Sequence, residues 1–239
     1  EEAGVAITEG RGNAAVGMEA LKNEDAHGLN TAIGTEALFT QNAGANAYNT
    51  AVGYRAGSSV TTGVQNTIIG GLAGDALTDS DYNVAIGYQA LSGDTLGSRS
   101  VAIGRRALAT AGEAITTGIE NTLIGGLAGD AITTGNSNVA VGYGAGGAIN
   151  TGGNNTIMGY IAAADITDDT NNVVIGHRAG NALTDSGNVI IGSDAARVGT
   201  THSDNVIIGK TAAGNGALTS DGNVIIGMQA GQAKTSGGS

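Results

Sequence analysis

The chain has 239 residues, 43 of them glycine, and it contains no cysteine, proline or tryptophan. Apolar residues make up 41% and aromatic residues only 3%, a balance that argues against the aromatic-rich core of an ordinary globular enzyme. The net charge of −11, with ten scattered basic residues and no long apolar stretch, argues against binding nucleic acid, binding an anionic membrane or spanning a bilayer.

Along the chain, the predicted elements are thirteen copies of one pattern, Asn-x-x-[Ile/Val]-Gly-x-x-Ala, in which only Ser100 departs from the Asn and only Met158 from the Ile/Val. Eight of the twelve spacings between copies are 17 residues and the others run from 16 to 21, so chance is excluded. We number each repeat from its Asn as position 1, which places the Gly at position 5 and the Ala at position 8. The copies begin at Asn13, Asn30, Asn49, Asn66, Asn83, Ser100, Asn121, Asn138, Asn155, Asn172, Asn188, Asn205 and Asn223.

These copies define one repetitive domain over residues 13–233. Residues 1–12 are interpreted as an N-terminal cap or as the continuation of a preceding segment, and residues 234–239 as a flexible linker. Residues 61–78 closely match residues 116–133, which indicates that blocks of several repeats were copied. Six repeats also carry an aliphatic residue at position 12: Val60, Leu77, Ile132, Ile149, Ile166 and Leu183.

The run between the Asn and the Gly of each repeat predicts a short strand, because runs such as Asn-Val-Ile-Ile-Gly at Asn223 are β-branched. Each repeat is therefore predicted to form one coil of strand, tight Gly-x-x-Ala turn, second short strand and polar loop. Burying a few aliphatic side chains does not offset the entropy of ordering one repeat, so the coils must stack. The predicted fold class is all-β, a parallel β-solenoid of about 13 coils. The longer repeats between Asn30 and Asn49 and between Ser100 and Asn121 are expected to bulge as surface loops without breaking the stack.

Three rows of the repeat predict structural roles. Stacked Asn side chains at position 1 are expected to hydrogen-bond to one another as a ladder. The Gly at position 5, for example Gly34, Gly87 and Gly125, marks a backbone site that needs a positive φ or a close approach. The Ala at position 8 predicts a tight corner, where a larger side chain would clash.

Positions 2, 3 and 4 of the strand are all apolar in many copies. We expect the residue just before the repeat Gly, such as Ile86, Ile103 and Ile124, to point into the solenoid core. A strand that is apolar on both faces is usually buried on both faces, and a slender solenoid has only one interior. The outer face is therefore predicted to meet another chain in a homo-oligomer.

Several strings in the chain resemble known repeats. Ser100-Val-Ala-Ile-Gly104 and Asn83-Val-Ala-Ile-Gly87 are similar to the head repeats of YadA-like trimeric autotransporter adhesins. The string from Asn30 to Leu38 and the Thr-Thr-Gly of residues 61–63 are similar to repeats in bacteriophage tail fibres. The adhesin repeat is shorter, and its Ser is mostly Asn here.

The resemblance implies a left-handed β-roll assembled as a homotrimeric fibre. It implies a structural and adhesive segment, either of a phage tail fibre that contributes to host-cell attachment or of the head of a bacterial surface adhesin. The implied location is the virion tail fibre or the extracellular surface. The implied partners are two further copies of the chain and a glycan or protein on the host cell, with no nucleic acid and no membrane insertion.

Candidate binding residues are few. No cofactor, metal centre or catalytic residue is predicted, and among His27, His177 and His202 none lies at metal-ligand spacing from another; His177 is interpreted as a solvated turn residue. Four tyrosines at position 6 form a row that either stacks on sugars or packs between chains: Tyr54, Tyr88, Tyr143 and Tyr160. Acidic loops offer candidate Ca²⁺ ligands or a solubilising surface: Asp79, Asp81, Asp165, Asp168, Asp169, Asp185, Asp204 and Asp221.

The same residues disfavour two other functions. A polysaccharide lyase or hydrolase needs a carboxylate cluster in an aromatic-lined groove, which one Phe and scattered Tyr do not supply. An ice-binding solenoid needs a regular Thr row, but position 2 alternates between Thr and Val. The prediction is therefore a non-enzymatic fibre segment.

Overall fold

The computed structural model describes residues 2–109, 118–198, 203–214, 218 and 220–232. Within that part, thirteen three-residue strands form one parallel sheet in chain order, and each strand pairs only with its neighbours in sequence. Successive repeats pair position by position, as in Val84↔Val101 and Ile86↔Ile103. The strands are β1 Ala14–Val16, β2 Thr31–Ile33, β3 Thr50–Val52, β4 Thr67–Ile69, β5 Val84–Ile86, β6 Val101–Ile103, β7 Thr122–Ile124, β8 Val139–Val141, β9 Thr156–Met158, β10 Val173–Ile175, β11 Val189–Ile191, β12 Val206–Ile208 and β13 Val224–Ile226.

This architecture confirms the predicted parallel β-solenoid with a spacing of about 17 residues. The stack continues across both long repeats, because β2 pairs with β3 and β6 pairs with β7 in full register. In the first long repeat the extra residues form a largely exposed loop around Gly44. In the second, residues 110–117 lie outside the described residues, as do residues 234–239 and His202. No helix in the described ranges is long and apolar enough to cross a membrane.

The inward side chain of each strand is the middle one, at position 3. Leu123 in β7 is fully buried, whereas Ile124 beside it is 37% exposed. The prediction that Ile86, Ile103 and Ile124 point into the core was therefore wrong. A three-residue strand alternates its faces, so positions 2 and 4 share the outer face when position 3 points inward.

Only one strand forms in each described coil, so the predicted second strand was also wrong. Turns replace it, because positions 7, 9 and 17 adopt a left-handed backbone. In the fifth coil these residues are Gln89, Leu91 and Arg99, with φ of 54°, 57° and 58°. Such a conformation is sterically costly for residues other than glycine, yet it recurs along the described chain.

Two combinations of residues fill the core in most coils, and the coils with Ala163, Ala196 and Ala213 at position 9 form a third group. Where position 9 is Leu, as at Leu91, position 3 is Ala, as at Ala85, and both are fully buried. Where position 9 is Gly in a coil that lies between two others, position 12 supplies an aliphatic side chain instead. A Cβ atom placed on Gly74 would lie 2.8 Å from Cδ1 of Leu77, so the glycine leaves the space that this leucine fills. The Ala at position 8 is buried in every described coil that lies between two others.

Candidate functional site

The buried Asn row joins each coil to the previous one and closes its own coil. The backbone N–H of Asn138 donates to Oδ1 of Asn121 at 3.0 Å. The Asn138 Nδ2 donates to the same Oδ1 at 3.2 Å and to the carbonyl oxygen of Gly152 at 2.9 Å. At the exception, the N–H of Asn121 donates to Oγ of Ser100 over a longer 3.3 Å. Equivalent bonds from backbone N–H to Oδ1 run through Asn13, Asn30, Asn49, Asn66, Asn83, Asn121, Asn138, Asn155, Asn172, Asn188, Asn205 and Asn223.

The Gly row at position 5 lets the coils approach each other. A Cβ atom on Gly87 would lie 2.5 Å from the carbonyl oxygen of Gly104 in the next coil, and Gly34 and Gly125 are equally close to their neighbours. The φ angles of these three residues are 133°, 132° and 136°. Both the space and the backbone conformation therefore require glycine.

Three coils place a buried polar residue at position 12, a feature that the sequence analysis missed. Gln41 Oε1 accepts a bond from Asn49 Nδ2 at 2.7 Å, and Glu24 Oε2 accepts one from Asn30 Nδ2 at 3.4 Å. Asp94 Oδ1 accepts the N–H of Gly97 at 2.6 Å, while its buried Oδ2 has no hydrogen-bond partner. Burial raises the pKa of Asp94 to about 6. The signal in the sequence was the absence of an aliphatic residue at position 12 of these repeats.

The outer face of the sheet carries the side chains of position 2, which are Thr or Val after the first copy, and those of position 4, which are Ile, Val or Met. Ile33, Ile69 and Met158 at position 4 are 40%, 38% and 42% exposed. Because the thirteen strands pair in register, these side chains form continuous rows along the solenoid, which we call the outer sheet face. Parallel sheets are normally covered on both faces, so a single chain leaves this face incompletely buried.

The position 6 row contains a stack of aromatic rings. The rings of Tyr143 and Tyr160 lie 5.7 Å apart at 16°, and those of Tyr160 and His177 lie 5.5 Å apart at 10°. We call these three residues the aromatic ladder. Tyr54 and Tyr88 lie in the same row, about half exposed like Tyr143 and Tyr160, but Gly71 separates them. The structure thus brings together two of the four candidate tyrosines and adds His177, which sequence reasoning assigned to a solvated turn.

An arginine cleft begins at the residue after the ladder. It is an open depression of about 340 Å³ lined by Arg178, Asp194, Arg197, Thr211 and Gly214. Oδ1 of Asp194 lies 3.7 Å from Nε of Arg178 and 3.8 Å from Nε of Arg197. One carboxylate therefore faces two guanidinium groups, which leaves a local excess of positive charge.

The acidic loops use their carboxylates to join neighbouring coils. Oδ1 of Asp79 accepts the hydroxyls of Thr62 at 2.7 Å and Thr61 at 2.8 Å, and these bonds lower the pKa of Asp79. Asp81 and Asp221 accept backbone N–H groups of the preceding coil at 2.8 and 2.9 Å. Burial, followed by the charges of nearby aspartates, raises the pKa of Asp169.

Among the described residues, the only three side chains whose ligand atoms gather closely enough for a metal are Glu24, Asp25 and His27, within 4.8 Å. The candidate Ca²⁺ ligands of the acidic loops, which could equally form a solubilising surface, do not converge in this way in the same part of the chain. Glu24 is already committed, since its Oε1 accepts the N–H of His27 at 3.2 Å and its Oε2 binds Asn30.

No protein family, curated protein or solved structure matches this chain. The affiliation suggested by the Asn-x-x-Ile-Gly strings therefore stays a proposal.

Proposed function

We propose that the chain is a structural and adhesive segment of a homotrimeric fibre, a left-handed β-roll belonging to a phage tail fibre that contributes to host-cell attachment. The observation that carries the proposal is the outer sheet face. Two rows of Val, Ile, Thr and Met run along thirteen paired strands and remain partly exposed in one chain. A largely apolar surface of this kind is typical of a protein–protein interface.

Further copies of the same chain are the simplest occupant of the outer sheet face. The rows repeat with every coil, so a copy aligned along the same axis presents the same apolar side chains at the same spacing. Closed symmetry prevents open-ended aggregation. The choice of three chains and of a left-handed coil rests on the resemblance to tail fibres and YadA-like heads.

The length of the solenoid is compatible with a fibre segment that both separates other parts of the fibre and presents a binding surface. Thirteen coils at about 4.8 Å each extend over about 60 Å. A trimer would display each side chain that lies outside the outer sheet face three times. Such repetition multiplies weak contacts with a cell surface. The proposal includes no catalytic activity, no cofactor, no nucleic acid and no insertion into a membrane.

The assembly is tested by sedimentation equilibrium and light scattering on the purified chain. We expect the mass of three 23.2 kDa chains over a wide concentration range. A soluble, folded monomer would rule out the trimer, and a stable dimer or tetramer would require a different packing of the outer sheet face.

Attachment is tested by adding fluorescently labelled protein to a panel of bacterial species and measuring adsorption of the phages that infect them. Competition with phage adsorption on at least one host is expected for a tail fibre. The alternative, the head of a trimeric autotransporter-type adhesin, is favoured by the Val-Ala-Ile-Gly strings at residues 84–87 and 101–104. It predicts binding to host matrix or host cells without any effect on phage adsorption.

A further inference from the structure

The aromatic ladder is a preformed platform on the surface. The rings of Tyr143, Tyr160 and His177 are stacked one per coil, nearly parallel, at 5.5 to 5.7 Å. The spacing is imposed by the solenoid, because the backbone N–H of Arg178 donates to the carbonyl of Tyr160 at 2.9 Å and holds adjacent coils together. Both tyrosines are about half exposed. Because the rings stack on one another, Tyr143 and His177 cover the two faces of Tyr160, and a ligand reaches the outer edges and hydroxyl groups of the rings. The exposed edge of a tyrosine ring combines apolar C–H groups with a hydroxyl, so it can contact the apolar part of a sugar and hydrogen-bond to its hydroxyl groups.

The arginine cleft lies directly beyond the end of this platform. Arg178 follows His177 in sequence, and the N–H of Asp194 donates to the carbonyl oxygen of His177 at 2.9 Å. The two Nε atoms lie 3.7 and 3.8 Å from Asp194, which is beyond hydrogen-bonding distance. Each guanidinium therefore has several donors free for an acidic ligand, and a planar guanidinium matches carboxylate and sulfate groups well.

The charge of the cleft is unusual for this chain. Two arginines and one aspartate meet there, whereas the whole chain has 10 basic and 21 acidic residues and a net charge of −11. A local cationic site on an acidic protein selects a ligand with a few well-placed negative charges.

We infer that the ladder and the cleft together form a binding site for an acidic polysaccharide. Sugar rings contact the exposed edges of Tyr143, Tyr160 and His177, and a carboxylate or sulfate on a neighbouring sugar pairs with Arg178 and Arg197. The inference deepens the proposed attachment function and rests on it for its biological setting, because it names the class of surface glycan that the fibre contacts.

The test is isothermal titration of the purified chain with two acidic probes and their neutral counterparts. Oligogalacturonate is compared with its methyl ester, and dextran sulfate with dextran. We expect at least one acidic probe to bind at least about tenfold more tightly than its neutral counterpart, with affinity falling as salt is added. Binding of oligogalacturonate alone would assign the charge to carboxylate, and binding of dextran sulfate alone to sulfate. No binding of either acidic probe, or equal binding of a neutral counterpart, would overturn the inference.

Matched variants locate the site. Tyr160→Ala removes the central ring, and its control, Tyr54→Ala, removes a ring from the same position of a repeat outside the ladder. Arg197→Gln removes a cleft charge, and its control, Arg55→Gln, removes an arginine that pairs with Glu36 at 3.3 Å. We expect about a tenfold loss of affinity for the site variants and none for the controls. Equal losses in site and control variants would show that binding is not at this site. Thermal melting of all four proteins establishes that they remain folded.

Failure of this inference is distinguishable from failure of the proposed function. The ladder and the cleft are each complete within one chain, so titration reports on them even in a monomer. A trimer that attaches to cells yet binds neither acidic probe would refute the polysaccharide site alone. A monomer that binds oligogalacturonate through Arg197 would refute the trimer alone.

Discussion

Gly87 and Gly104 are separated by so little space that a single methyl group on Gly87 would lie 2.5 Å from the carbonyl oxygen of Gly104. The methyl carbon would be attached directly to the backbone of residue 87, and the oxygen belongs to the backbone of Gly104. Neither atom can move aside without changing the spacing of the two coils. The same relationship recurs from Gly17 to Gly209, which makes the Gly row the feature that sets the distance between coils.

Replacing Gly87 with alanine is therefore expected to separate β5 from β6. The new Cβ atom clashes with backbone, and the φ of 133° is itself unfavourable for alanine, so we expect a local loss of about 3 kcal/mol or more. Amide hydrogen exchange in β5 and β6 is the measurement. The control is Gly71→Ala, where the nearest atom to the new Cβ is a Tyr88 ring carbon at 3.7 Å, and exchange should be nearly unchanged. Similar protection in both variants would contradict this account of the Gly row.

Asn138→Ala should remove two kinds of hydrogen bond at once. It leaves the carbonyl of Gly152 and the N–H of Asn155 buried without their partners, for which we expect a loss of about 2–4 kcal/mol. Asn138→Ser should lose less, because a hydroxyl at this position can still accept an N–H of the next coil, as Oγ of Ser100 accepts the N–H of Asn121 at 3.3 Å. Chemical denaturation of both variants checks the order. Equal stability of the serine and alanine variants would show that the N–H to Oγ bond contributes nothing.

Stability should depend on pH through Asp94. Its pKa is about 6 in the folded chain, against 3.8 for the ordinary group, because burial disfavours the carboxylate. The folded state therefore binds the proton more tightly than the unfolded state. This group's contribution to stability is complete below pH 3.8 and is lost as the pH rises through about 6. The difference between a pKa of about 6 and one of 3.8 corresponds to a change of about 3 kcal/mol in the free energy of unfolding between fully protonated and fully ionised Asp94.

Asp94→Asn isolates this contribution from that of the other carboxylates. The amide oxygen can still accept the Gly97 N–H, but the side chain no longer titrates. We expect the free energy of unfolding of the wild-type chain, relative to the variant, to fall between pH 5 and pH 7.5. Melting curves over this pH range provide the measurement. Parallel pH profiles for the two proteins would mean that Asp94 is not the titrating group.

Substitutions at two adjacent residues should distinguish effects on folding from effects on assembly. Leu123→Asp places a carboxylate in the core and should destabilise β7 and its neighbours by several kcal/mol. Ile124→Asp changes the outer sheet face, so the coil should stay folded while the oligomer dissociates. Circular dichroism reports the first effect and sedimentation the second. An oligomer that survives Ile124→Asp would place the interface elsewhere.

The repeat spacing predicted the sheet, because residues that recur every 17 positions and cannot form helices must stack in register. The direction of the side chains could not be predicted the same way. In β12 all three residues, Val206, Ile207 and Ile208, are apolar, so hydrophobicity does not distinguish the inner from the outer face. The buried Asp94 was missed because an isolated carboxylate is ordinarily expected at the surface.

The positive φ angles of residues other than glycine could not be predicted from the sequence either. Leu91 and Arg99 have no intrinsic preference for φ near 57°, and they adopt it because of bonds to neighbouring coils. The aromatic ladder was partly foreseen, since Tyr143 and Tyr160 share a repeat position. The role of His177 depends on ring orientations that spacing alone does not supply.

The left-handed turns imply an order of events during biosynthesis. The N–H of Gln89 donates to the carbonyl of Gly71 in the preceding coil, and the N–H of Leu91 donates to that of Ala107 in the following one. A left-handed residue other than glycine costs about 1–2 kcal/mol, so these turns become favourable only when both neighbours are in place. The growing chain can therefore fold while it is being translated, with each coil completed once the next repeat has left the ribosome.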